Sequence, residues 1–486
     1  MGEIIGRKEE IKKLQDLINS TQAELLAIYG RRRVGKTYLI SEFFKDKGVY
    51  FELNGIPKGK MSDQLRRFPM AFHEAFLSPE ILPYPKDWTE AFSLLIKKLK
   101  KIPEKRKVIF FFDELPWLAT PRSDLLISLE HAWNRYLSRR KNFIMILCGS
   151  AASWMINKII NNKAGLYGRL TEKIQLQPFS LSETEDYLKA KNIQLDRKQI
   201  VEIYMVTGGT AKYLNHIKKG LSSSQIIQSL CFSPQGFLAT EYKLLFQSLF
   251  DNAKIHTDIL ETLSESKHGL TLVEIIKKTN ISSGGRLSNI LNELESSGFI
   301  QFIPFYNKRK KEGHYRIIDE YSLFYLAWIR QALFNQNRPI SNNYWLNLHR
   351  SPKFLNWAGY AFENICLKHI NRIIEALKIS IVSKSVAYWA YRPRKKEKTS
   401  GAQIDLIIDR SDNCINLCEI KFSDSKFVIK KDYAEKMNQK REVFRSITET
   451  RKTLFNTIIT SYGAIENAAY HSCIDQQVDI NSLFMF

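Results

Sequence analysis

Apolar positions follow two periodicities that alternate along the first third of the chain. Residues 25–29, 107–112 and 142–148 read LLAIY, KVIFFF and NFIMILC, continuous apolar runs that predict strands buried on both faces, as in a parallel sheet. Shorter strand candidates lie at 48–53 and 174–176. Between these runs the period lengthens. Ile11, Leu14, Leu17 and Ile18 share one face of a helix, and helix-like segments recur at 37–44, 62–76 and 88–99. Strands alternating with helices predict an α/β domain over residues 1–178.

From Lys254 the pattern changes to short helices, HTDILETL, LTLVEIIKKT and GRLSNILNELESSGF, punctuated by Gly269, Gly284, Gly285 and Gly298. Two strand-like runs, FIQFIPFY and HYRIID, follow and are joined by NKRKKEG. Three helices and a basic hairpin read as a winged helix, which would offer Arg286, Ser288 and Asn289 to a groove and Lys308, Arg309, Lys310 and Lys311 to phosphates, or would serve as a packing module with a solvated hairpin tip. An aromatic-rich helix over 321–334 reads as a connector. The last stretch pairs a helix-like WAGYAFENICLKHI with the strands QIDLIID and INLCEIKFS. The expected division is therefore an α/β core over 1–178, a helical lid over 179–250, a winged helix over 251–320, a connector over 321–350 and a C-terminal α/β domain over 351–486.

Composition adds two constraints. A chain of 486 residues exceeds one ordinary core, which supports several domains. A formal charge of +23 favours a polyanionic partner, because clustered Lys and Arg release counterions from phosphates; a solvated lysine-rich surface is the alternative. Six cysteines are scattered, and only Cys414 and Cys418 lie close together, which is a poor zinc pattern and reads as reduced thiols. A charged N-terminus and apolar runs too short for a bilayer imply a cytoplasmic protein with no membrane partner.

The first chemical constellation is GRRRVGKT at residues 30–37, which fits G-x-x-x-x-G-K-[ST] between an apolar strand and a helix. The backbone of Gly30, Arg31, Arg32, Arg33, Val34 and Gly35, with the helix start that continues into Tyr38, would cradle phosphates. Lys36 would reach the outer phosphates and Thr37 would hold Mg²⁺, so ATP and Mg²⁺ are the expected cofactors. Asp113 and Glu114 end a buried strand at the ligand edge of such a sheet, where Asp113 would complete the magnesium shell and Glu114 would polarise the attacking water. Ser150 ends the next strand. Arg169, on a glycine-flanked loop, would stabilise transition-state charge, either in its own subunit or across a homo-oligomer formed through the ATPase domain.

The order IIGRKEE, GRRRVGKT, FFFDE, LCGS, LYGR and VTGGTAKYL resembles the archaeal and bacterial ATPases of the AAA+/STAND group, relatives of origin-recognition ATPases. That resemblance implies that Ile5, Gly6 and Arg7 border the adenine, that Ser150 is the sensor at its strand tip and that Arg169 is an arginine finger. Ala211 stands where such relatives usually carry proline.

The second constellation is Glu363 on a helix, Asp405 on a strand, and Glu419 with Lys421 two residues apart on another strand. Strand alternation puts Glu419 and Lys421 on one face and Cys418 and Ile420 on the other. If the strands are neighbours, three carboxylates and an ammonium meet, with Asp405 and Glu419 as ligands for Mg²⁺ or Mn²⁺ and Lys421 positioned to activate water. This set resembles the PD-(D/E)xK nuclease superfamily. The implied fold is a P-loop α/β NTPase with a lid, a winged helix and a C-terminal restriction-endonuclease-like domain. The implied activity is ATP hydrolysis controlling a metal-dependent nuclease-like domain on DNA. A nucleotide-switched regulator with a silent nuclease-like domain is the rival. The basic loop YRPRKKEKTSG, with Tyr388, Trp389 and Tyr391 beside it, reads either as a source of cations and stacking surfaces for nucleic acid or as a disordered lysine-rich loop.

Overall fold

Five parallel strands form the first sheet: β1 Glu24–Tyr29, β2 Val49–Asn54, β3 Val108–Asp113, β4 Phe143–Gly149 and β5 Glu172–Gln175, in the order β2-β3-β4-β1-β5. Alternate residues of each strand feed two separate cores. Leu25, Ala27, Phe110, Phe112, Met145 and Leu147 face one side, and Leu26, Ile28, Ile109, Phe111, Ile144 and Ile146 the other. A sheet covered on both faces explains why these runs lack polar alternation, and each such large side chain contributes roughly 1.5–3 kcal/mol by leaving water. The helix expected over 62–76 divides into Met61–Leu65 and Phe68–Phe76. Pro69 sits in the first turn of the second helix, where a missing N–H costs nothing, and so it begins a helix rather than continuing one.

A computed structural model describes residues 3–77, 81–162, 166, 168–281, 284–309, 311–334, 341, 343–393 and 401–485. They gather into two units, Met1–Pro178 and Phe179–Phe486. In the second unit the helices Ala253–Ser264, Leu272–Thr279 and Gly285–Ser296 precede an antiparallel hairpin, β6 Ile300–Pro304 and β7 Gly313–Ile317. A mixed sheet follows: β8 Ser383–Tyr391, β9 Ala402–Arg410, β10 Cys414–Lys421, β11 Thr453–Thr460 and β12 Gln476–Asp479, in the order β12-β11-β10-β9-β8. Strands β8, β9 and β10 run antiparallel, whereas β10, β11 and β12 run parallel.

One apolar core joins the segments of this unit, from Phe179 and Leu181 through Leu260, Leu291 and Phe324 to Ile365, Cys418 and Phe484. The helix Pro352–Lys368 buries Ala358, Phe362 and Ile365 in that core. On the other face the helix Lys431–Thr448 places Val443 and Phe444 against Trp389, Ile407 and Leu417. Among the described residues no helix is long and apolar enough to cross a membrane.

Candidate functional site

The carboxyl ends of β1, β3 and β4 bring the phosphate-loop residues together. Gly30 has φ 137° and Gly35 φ 99°, in the region that favours glycine. A Cβ on Gly30 would lie 2.4 Å from the Leu176 carbonyl oxygen, so the close passage of the loop over that strand end requires glycine. The helix Lys36–Phe44 begins at the loop's end and aims its N-terminus back into it. Lys36 is buried and folds over the loop, donating from Nζ to Gly30 O at 2.8 Å, Arg31 O at 3.0 Å and Ser150 Oγ at 3.0 Å. Thr37 Oγ1 donates to Asp113 Oδ2 at 2.7 Å, and the Glu114 N–H donates to Asp113 Oδ1 at 2.9 Å.

Glu114 is held from the next strand. The Ser150 N–H donates to Glu114 Oε2 at 3.2 Å, and Ser150 Oγ donates to Oε1. Ammonium, strand-tip hydroxyl and carboxylate therefore form one chain, Lys36 to Ser150 to Glu114. A hydroxyl and a carboxylate in contact, both oxygen donors beside a helix N-terminus, suit Mg²⁺ bound with a phosphate. Arg7 fixes the segment Ile5–Gly6 against this loop. Its Nη2 donates to Val34 O at 3.1 Å and its Nη1 to Gln177 O at 2.8 Å. Arg32 carries its guanidinium 5.8 Å from the Trp117 ring, Arg31 is buried, Arg33 is half-buried and Tyr38 is about half exposed. Arg169 is exposed on a turn and outside this network; Ala164, Gly165 and Tyr167 of the same loop lie outside the described residues.

The second constellation also converges, in a different electrostatic state. Glu419, buried on β10, receives Lys421 Nζ at 2.9 Å and the Tyr433 hydroxyl at 3.1 Å on Oε1, and Lys440 Nζ at 2.7 Å on Oε2. Asp405 Oδ2 accepts the Ile420 N–H at 3.0 Å, a direct product of the β9–β10 pairing. Glu363 Oε2 accepts Arg316 Nη2 at 3.1 Å. Burial, then the negative charges of Glu419 and Glu363, push the Asp405 carboxyl up to about 7 against the pull of Lys421. Burial also raises Glu363 in spite of Arg316 and Lys421. For Glu419, burial works upward but Lys421 and Lys440 outweigh it and hold the carboxyl below its usual range.

The three carboxylates and Lys421 therefore act on one another. Among the described residues, however, no group of three or more His, Cys, Asp or Glu side chains is arranged to hold a metal ion. Both Glu419 oxygens and Glu363 Oε2 already accept from the protein's own Lys421, Lys440, Tyr433 and Arg316. The residues as they stand do not fit a metal, and the expectation of Asp405 and Glu419 as ready ligands changes accordingly.

Three of these partners have no counterpart in the sequence reading. Lys440 and Tyr433 lie on the helix Lys431–Thr448, where Tyr433, Met437, Lys440 and Phe444 form a stripe of helical spacing, so a lysine on an apolar stripe was the available signal. Arg316 comes from β7 and had no such signal.

Other expected surfaces divide. Arg286, Ser288 and Asn289 are exposed on their helix, as are Lys308, Arg309 and Lys311 at the hairpin tip, while Lys310 and residues 394–400 lie outside the described residues. Tyr388 and Trp389 do not supply stacking surfaces. Each is only 7% exposed, because the hairpin covers Tyr388 and Phe444 covers Trp389. In the segment VTGGTAKYL, the helix Arg197–Thr207 ends at Gly208 with φ 57°. A Cβ there would lie 2.6 Å from Glu320 Oε2. Glu320 in turn pairs with Lys368 at 2.8 Å, on the same helix as Glu363.

Residues 4–217 match the model of an ATPase domain predominantly from Archaea. Over 426 residues the chain is 25% identical to the uncharacterized protein MJECL04 of Methanocaldococcus jannaschii, covering 87% of this chain and 88% of that one. A 45-residue stretch, 9% of this chain and 76% of the relative, is 47% identical to the uncharacterized ATP-binding protein MJ0423 of the same organism. Among solved structures, the Walker-type ATPase PABY2304 of Pyrococcus abyssi aligns over 66% of this chain and 96% of its own, with 20% identity and a TM-score of 0.49. Residues 4–217 thus belong to the family of P-loop ATPase domains found predominantly in Archaea.

Proposed function

We propose that the chain is an ATP-hydrolysing, DNA-associated protein whose ATPase unit governs a nuclease-like site built from Glu363, Asp405, Glu419 and Lys421. The observation that carries the first half is the contact of Thr37 with Asp113 beside the chain Lys36–Ser150–Glu114. In this reading Ile5, Gly6 and Arg7 border the base, Thr37 and Asp113 hold Mg²⁺, and Lys36 neutralises the outer phosphates. The bound ion supplies charge neutralisation on the triphosphate. Glu114 orients and deprotonates water once Ser150 releases it, and Arg169 approaches the developing negative charge from its exposed loop.

Support for the second half is the mutual influence of Asp405, Glu419 and Glu363 beside Lys421, on two paired strands and one helix. The net charge of +23 and the exposed Lys308, Arg309 and Lys311 favour a nucleic-acid backbone as substrate. The rival, a nucleotide-switched regulator that cuts nothing, is favoured by one observation: the acidic cluster is neutralised by the chain's own cations.

Plasmid incubated with Mg²⁺ or Mn²⁺, with and without ATP, separates the two. Nicking by the wild type that is absent in Lys421→Ala and altered in Lys36→Ala is the expected result. ATP turnover and salt-sensitive DNA binding without nicking under either metal would leave only the regulator.

A further inference from the structure

Arg32 stands at the crest of the phosphate loop, after the Gly30 and Arg31 carbonyls that hold Lys36 and before Arg33, which turns the chain with φ 73°. It is partly exposed, and its guanidinium carbon lies 5.8 Å from the centre of the Trp117 ring. Trp117 belongs to the turn that follows Glu114: its N–H donates to Glu114 O at 2.8 Å, on the helix Leu115–Leu118. That turn is packed against the end of β2. The Gly55 N–H donates to Asp113 O at 2.9 Å, and a Cβ on Gly55 would lie 2.6 Å from Glu114 O and 3.0 Å from Trp117 Cβ, so a side chain there would push the ring away. In the sheet, β4 separates β1 from β3. Two strand spacings make about 10 Å, and Arg32 reaches across that interval from the loop after β1 to the turn after β3. Between them, at the end of β4, Ser150 joins Lys36 to Glu114.

The carboxylates beside it are engaged elsewhere. Asp113 accepts from the Thr37 hydroxyl and the Glu114 N–H, and Glu114 accepts from Ser150. Among the described residues the Arg32 guanidinium therefore rests on a ring face and on no carboxylate. A cation over an aromatic ring at a partly exposed site is held weakly, whereas a guanidinium makes two parallel, charge-assisted bonds to a phosphate. One side-chain rotation thus exchanges a weak partner for a strong one when a phosphate stands between Lys36 and Glu114.

We propose that the Arg32 side chain reads the third phosphate of the nucleotide: it rests on Trp117 in the free protein, leaves the ring for a triphosphate and stays on it with a diphosphate. The inference rests on reading residues 30–37 as a triphosphate site, and extends that reading from the backbone of the loop to one side chain. The loop's N–H groups and the helix N-terminus grip phosphates that ATP and ADP share, so they separate the two poorly. A fork that reaches over from the loop to the Glu114 turn meets the phosphate that ADP lacks. Trp117 then reports the exchange, because its indole loses a cation only when the third phosphate is present.

The test is calorimetric titration of the full chain, in Mg²⁺, with ADP and with the non-hydrolysable β,γ-imido analogue of ATP. Arg32→Ala is expected to bind the analogue roughly tenfold or more weakly than the wild type does, and to bind ADP within about twofold of it. Arg32→Lys, which keeps the charge and loses the fork, is expected to fall between the two, and Lys36→Ala to weaken both ligands. Tryptophan emission gives a second readout that needs no change in the loop. The analogue is expected to alter it and ADP to leave it, and most of the response is expected to disappear in Trp117→Phe, which keeps a ring under Arg32 but removes the indole. Equal weakening of both ligands in Arg32→Ala, no weakening of either, or an emission response undiminished in Trp117→Phe overturns the reading of the third phosphate and leaves the triphosphate site standing. A wild type that binds neither ligand overturns the site and the inference together.

Discussion

The two constellations of this chain draw on similar side chains and stand in opposite states. In the phosphate-loop site, Thr37, Asp113, Glu114 and Ser150 bond mainly to one another, and the one ammonium, Lys36, is caged by backbone carbonyls and a hydroxyl. Such a site exchanges weak internal contacts for a ligand. In the C-terminal site, Glu363 and Glu419 are ion-paired to Arg316, Lys421 and Lys440. A ligand there must first displace charge. The comparison teaches that bringing the right residues together is a different achievement from leaving them available.

Breaking the first site should produce the largest effect. Lys36→Ala is expected to lower ATP turnover by roughly a hundredfold or more, and Glu114→Gln by a similar factor while nucleotide binding is retained; steady-state phosphate release and nucleotide titration check both.

Breaking the second site should act on stability first. Arg316→Ala strands Glu363 and is expected to cost about 3–5 kcal/mol in chemical denaturation of the second unit, whereas Arg316→Ala/Glu363→Gln should recover much of that loss.

A third expectation concerns pH. His369 is buried, accepts the Leu181 N–H on Nε2 at 3.1 Å, and is pushed down by burial to about 4 from 6.5. A depressed folded value means that the unfolded chain takes the proton first, so stability present above pH 6.5 is lost as pH falls through that window to about 4. At 1.36 kcal/mol per pH unit, the full loss is on the order of 3 kcal/mol, and His369→Gln should flatten that part of the profile. The smallest effect belongs to a helix cap: Thr271→Ala removes the hydroxyl that accepts the Glu274 N–H at 3.3 Å and should cost about 1 kcal/mol, read from the same denaturation curves.

The sequence made the first site legible because its chemistry is local. Gly30 to Thr37 is one contiguous motif, and Asp113, Glu114 and Ser150 each follow a continuous apolar run whose buried strand fixes where it ends. The second site was legible on its own strands: Glu419 and Lys421 share a face because the period of a strand is two, and Asp405 meets them through β9–β10 pairing. Its occupancy was not legible. Arg316 reaches Glu363 from 47 residues away along the chain through the seating of a hairpin on an edge strand, and a strand pattern carries no mark of what will cover it. The same seating buried Tyr388, which in sequence reads as a stacking residue beside a basic loop.

The most direct test is plasmid nicking in Mg²⁺ or Mn²⁺ by the wild type, with and without ATP, beside Lys421→Ala and Lys36→Ala. Nicking by the wild type that disappears in Lys421→Ala and changes its response to ATP in Lys36→Ala is the expected result. A folded, ATP-hydrolysing wild type that binds DNA yet leaves plasmid intact under either metal would contradict the proposal that the acidic cluster cuts.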